Sequence, residues 1–117
     1  MHQLDRAQAL SRVGDDAPLL AELATLFLDE YPRLLEVARE GIESSDTSAV
    51  QNAAHQLKGL LAQFCAVAAR EAAWQLEQTA REGDLARAKH DLADLSALMD
   101  RLRPELEALA SLGTSHG

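Results

Sequence analysis

The sequence predicts an all-α protein: an antiparallel, up-down four-helix bundle with an additional short helix at its N-terminus. Three observations carry that prediction. Apolar residues fill 47% of the 117 positions but aromatics only 3%, so the core is built from Leu, Ala and Val, and Leu and Ala are strong helix formers. Apolar positions recur at three- and four-residue spacing, and no strand-period alternation competes with them. The joints are short and polar, so helices consecutive in sequence become antiparallel neighbours in space. The length suits one domain with a real core and no metal or disulfide staple. Residues 1–112 are expected to fold and residues 113–117 to form a disordered tail.

Leu4 to Val13 reads as the short first helix, ended by Gly14. Asp15 or Asp16 then caps the second, with Pro18 allowed in its first turn. Leu19, Leu20, Leu23, Leu26, Phe27 and Tyr31 recur at helical spacing, and Pro32 predicts a kink or restart because it lacks an N–H. Leu34, Leu35, Ala38 and Ile42 continue the stripe to the polar break Ser44-Ser45-Asp46-Thr47, which offers good caps. A helix through Val50 to Phe64 follows and ends near Cys65. Ala69, Ala72, Ala73, Leu76 and Ala80 mark the next, closed by Gly83, with Asp84 capping the last. Leu85, Leu92, Leu95, Leu98, Met99, Leu102, Leu106 and Leu109 sustain that final stripe, and Pro104 predicts a bend or a short terminal piece.

Composition removes several function classes. A formal charge of −8 lacks the basic footprint that nucleic acid or an anionic membrane surface requires. One cysteine, Cys65, forbids an internal disulfide and fits a reducing cytoplasm. No apolar run is long enough to span a bilayer, and Met1-His2-Gln3-Leu4-Asp5 has no signal-peptide character. Di-iron bundles need Glu-x-x-His pairs, but Asn52, Arg87 and Gly113 stand three before His55, His90 and His116. His90 with Asp94 is better read as a solvated helix face than as a metal pair. No zinc motif, phosphate-binding loop or dinucleotide fingerprint occurs, so no metal or cofactor is expected.

What remains is His55. At about 100° per residue, Val50, Ala53, Leu57, Leu60, Leu61 and Phe64 share one apolar stripe. His55 falls nearly opposite, among Gln51, Asn52, Lys58, Gly59 and Ala62. A neutral imidazole has one nitrogen with a free lone pair and can take a phosphoryl group as a phosphoramidate. Lys58, at i+3, can supply positive charge to the phosphoryl oxygens, and Gly59, at i+4, leaves a path for a partner. A carboxylate on the other ring nitrogen would fix the tautomer, and Glu77 on the following helix is the candidate. Gln51, Asn52 and Ala62 are the candidate docking face. An ordinary histidine on a solvated face is the alternative.

The run Ala54-His55-Gln56-Leu57-Lys58-Gly59, with Leu76-Glu77 and Gly83-Asp84 in order downstream, resembles the histidine-containing phosphotransfer (HPt) domain, an intermediate carrier of bacterial phosphorelays. Phe27, Pro32, Gly14-Asp15 and Leu19-Leu20 also fit, so the resemblance extends over roughly residues 4–109. It implies that His55 accepts phosphate from one receiver-domain aspartate and donates it to another, with magnesium carried by the receiver. It implies as partners a response-regulator receiver domain and a hybrid histidine kinase, with this chain a monomer that has no ATP site of its own. Leu60 and Leu61 depart from the family's small residues, Cys65 from its glycine, and Ala69 and Ala72 from larger side chains. Two other readings remain open: a helical adaptor with an unphosphorylated histidine, and an HPt module of a larger hybrid sensor kinase.

Overall fold

The computed structural model describes residues 2–112, so the expected tail, residues 113–117 with His116, lies outside the described residues. Among the described residues five helices follow one another: α1 (Arg6–Arg12), α2 (Ala17–Glu43), α3 (Thr47–Gln63), α4 (Val67–Arg81) and α5 (Leu85–Ser111). Among the described residues there is no strand. α2 packs on α3, α3 on α4, α4 on α5 and α5 back on α2, which closes a four-helix ring with α1 as an outlying turn against α2. The predicted all-α bundle with an extra N-terminal helix is the fold observed.

One local device builds every joint. The backbone N–H groups of Asp15, Asp46, Ala66 and Asp84 donate back to the carbonyls of Leu10, Gly41, Leu61 and Thr79, five residues earlier in each case. This is the helix stop in which a left-handed residue turns the chain and satisfies an orphan carbonyl. Gly14 and Gly83 fill that left-handed position at two joints, with φ of 65° and 79°. Ser45 and Cys65 fill it at the other two, with φ of 59° and 54°. Three of the four donors are also the N-cap of the next helix: Asp46 accepts from Ala49 N, Asp84 accepts from Arg87 N, and Ala66 has no side-chain cap bond. A single residue therefore ends one helix and starts another, which forces sequential helices to lie side by side.

The boundaries shift modestly from the expected ones. α1 starts at Arg6 because Asp5 caps it, while Leu4 leaves the helix and enters the core, 7% exposed. Glu105 on α5 anchors that segment by accepting from Gln3 N at 2.7 Å and Leu4 N at 3.3 Å. Neither proline restarts a helix: Pro32 lies inside the 27-residue α2 and Pro104 inside the 27-residue α5. Both rings are exposed. The carbonyl that each leaves without a donor therefore lies on the water side, where its loss is least costly.

The core has few aromatics and packs them together. Phe27 stacks on Phe64 at 5.5 Å and meets Tyr31 edge-on at 5.7 Å. The Tyr31 hydroxyl accepts from Arg103 Nε at 2.7 Å, tying α2 to α5. Ala69, Ala73 and Ala80 are buried along α4, so its backbone can approach its neighbours closely.

Candidate functional site

The site forms where α3 faces α4. Val50, Ala53, Leu57 and Leu61 are fully buried on α3, which rotates His55 outward with its side chain 66% exposed. On α4, Ala73, Leu76 and Ala80 turn toward the core, and Glu77 sits at the margin of that stripe with its side chain only 5% exposed. A carboxylate so buried needs partners, because losing its water is costly. It has three basic ones. His55 Nδ1 lies 3.0 Å from Glu77 Oε2, Lys58 Nζ lies 2.8 Å from Oε1, and Arg81 Nη2 lies 3.7 Å from Oε2.

These contacts set the proton arrangement. Glu77 Oε2 can only accept when ionised, so Nδ1 of a neutral His55 carries the ring proton and Nε2 keeps its lone pair. Burial alone would push the Glu77 carboxyl up, but the bonds and charges of Lys58 and His55 outweigh it and hold the group below its ordinary range. Lys58 pairs with Oε1 at 2.8 Å, the shortest of the three contacts to the carboxylate. Lys58 is accordingly not a freely solvated lysine: its side chain is 29% exposed and is drawn onto Glu77.

The other expected residues fall around this cluster. Gly59 is exposed, and a Cβ built on it would meet nothing within 4 Å. Asn52 is exposed, while Gln51 and Ala62 are half-buried on the same helix. The structure thus brings His55, Lys58 and Glu77 into contact and leaves Gly59, Gln51, Asn52 and Ala62 around them without a direct bond to the carboxylate. Sequence reasoning missed Arg81, although its i+4 spacing from Glu77 on one helix was a usable signal. Among the described residues, no group of three or more His, Cys, Asp or Glu is placed to hold a metal ion. No described helix is long and apolar enough to cross a membrane.

Comparison with known families resolves what this geometry belongs to. The Hpt domain family model matches residues 22–111, from the first turns of α2 to the end of α5. The chain belongs to the Hpt domain family. No curated protein and no solved structure gives a match. This Hpt domain is therefore a helical phosphotransfer-signalling module, a phosphocarrier in kind and not a kinase. Hpt domains work with receiver domains and kinases in phosphorelays. α1 and the joint that follows it precede the matched segment.

Proposed function

We propose that His55 accepts a phosphoryl group from the aspartyl phosphate of a receiver domain and passes it to the aspartate of a second receiver. The observation that carries this reading is the exposed imidazole whose Nδ1 is held 3.0 Å from a buried carboxylate. The Nε2 lone pair forms the N–P bond as the P–O bond to the aspartate breaks and its electron pair leaves on the carboxylate. Nδ1 keeps its proton throughout, and Glu77 balances the positive charge that the ring acquires. Lys58 supplies charge to the phosphoryl oxygens, and Gly59 keeps the approach clear. Gln51, Asn52 and Ala62 belong to the face that the partner covers. Magnesium sits on the receiver, a hybrid histidine kinase feeds the relay, and the domain acts as a cytoplasmic monomer.

The test is exposure to a phosphorylated receiver domain. The wild-type protein should gain an acid-labile, alkali-stable phosphate, and His55→Gln should gain none while its helicity and melting temperature stay nearly unchanged, because the side chain is exposed and the glutamine amide can still donate to Glu77. Phosphate on His55→Gln, or a variant that unfolds, would sink the assignment.

A further inference from the structure

Phe27, Tyr31 and Phe64 are each at most 2% exposed, whereas Trp74, the one tryptophan of the chain, is 45% exposed. It stands on α4 one turn before Glu77. With Lys58, Gly59, Ala62, Arg70 and Glu71 it lines a groove of about 480 Å³ between α3 and α4. A lone apolar side chain at a surface needs no explanation, but this one is not isolated. The groove shares Lys58 and Gly59 with the His55 site, and the space over Gly59 is open. Arg70 has a half-exposed side chain, and its ion pair with Glu71 is loose at 3.9 Å. An aromatic ring beside an under-used arginine is the pairing that dominates the energetics of protein interfaces.

The charge pattern selects the occupant. Within α3 and α4, Lys58, Arg70 and Arg81 stand against Glu71 and Glu77, leaving +1 in a chain whose total is −8. Among the four bundle helices, α2 sums to −4 and α5 to −1, so the α3–α4 pair is the one that does not repel an acidic partner. A domain that offers an aspartate for phosphorylation presents carboxylates and phosphoryl oxygens at the approaching surface, so its field complements this one. A second copy of the acidic chain is repelled over most of its surface.

We propose that this groove is the recognition subsite for the receiver domain, with Trp74 as the apolar anchor and Arg70 as the cation for a receiver carboxylate. The inference rests on the phosphocarrier reading above and adds the residues that choose the partner. The bonds of His55 and Arg70 run to Glu77 and Glu71 and not to each other, and His55 is not among the residues that line the groove, so Trp74 and Arg70 act on docking and not on the transfer of the phosphoryl group.

The experiment uses the whole protein, a panel of response-regulator receiver domains, and phosphoramidate as a small donor. Trp74→Ala should slow transfer from a phosphorylated receiver at sub-saturating concentration by about tenfold or more, the scale of losing an interface anchor. Phosphorylation of His55 by phosphoramidate should be unchanged. Arg70→Glu, a change at an exposed position, should slow the same transfer and flatten its dependence on salt. Protein labelled with 5-fluorotryptophan has one fluorine resonance, and receiver binding should shift it. Unaltered transfer by both variants, an unmoved resonance, or equal loss with both donors overturns the subsite. A resonance that shifts with concentration of this protein alone overturns it in favour of self-association. If no receiver in the panel exchanges phosphate with the wild type, the phosphocarrier reading itself fails and the subsite falls with it.

Discussion

Glu77 is the residue on which the site turns, since one buried carboxylate holds the phosphoacceptor candidate and its nearest cation together. Lys58→Ala therefore has two separable effects. It leaves Oε1 buried without its cation, which should cost about 1–3 kcal/mol in thermal or denaturant unfolding. It should also slow phosphotransfer roughly tenfold to a thousandfold, the scale of losing one charge-stabilising donor. Lys58→Arg should restore stability better than rate, because a guanidinium can replace the charge but not the compact ammonium geometry. An unchanged melting temperature in Lys58→Ala would show that the ion pair does not contribute. The carboxyl itself gives a pH prediction. Its folded form titrates below the ordinary value of 4.5, so below that value the unfolded chain binds more protons and stability falls with pH. The contribution is whole above the ordinary value and is lost as pH drops through the depressed one. Melting curves of wild type and Glu77→Gln, taken between about pH 3 and pH 6, should converge toward acid. A constant difference across that window would mean that the pairing is not what holds Glu77.

At the scale of the helix, two glycines inside regular helices should respond to the same substitution with opposite signs. A Cβ on Gly41 would lie 2.8 Å from Val50 Cγ2 and 3.1 Å from the Asp46 carbonyl oxygen, where α2 meets the start of α3. Gly41→Ala should destabilise by about 1–3 kcal/mol through overpacking. Gly59→Ala meets open space and should stabilise by about 1 kcal/mol from helix propensity alone. Gly59→Gln should stay folded yet impede a receiver more than a small phosphodonor, and equal effects on the two donors would remove the access argument. The helices themselves were legible from periodicity, Gly83 and Asp84 were legible as caps because a missing Cβ or a side chain does the capping, and Asp46 was legible only as one of four residues in a capping break. Ser45 and Cys65 were not, since neither residue type signals a positive φ; the structure explains why a glycine is favoured where Cys65 stands. Pro32 does not restart the helix because its cost depends on which side of the helix it faces, and the exposed side tolerates it. Stripe arithmetic placed His55 and Lys58 outward, but the convergence of Lys58 and Arg81 on Glu77 depends on the register of α3 against α4, which no single helix encodes.

Across the whole molecule, the bundle is elongated, 46 × 23 × 22 Å, and its helices differ in how far apart in sequence their partners lie. The α2–α3, α3–α4 and α4–α5 contacts join neighbours across joints of a few residues, while α2–α5 closes the ring. The hydrogen bond from Arg103 to Tyr31 spans 72 positions. Loop closure of that length costs entropy that the short joints avoid, so the chain has three cheap steps and one dear one. Chains dominated by local contacts cross their folding barrier in microseconds to milliseconds, and the slow part of that crossing belongs to the long closure. A nascent chain leaving the ribosome can therefore dock α3 on α4, and bring His55 to Glu77, before Arg103 has emerged. The chemistry-bearing half would assemble first, and the ring would seal behind it.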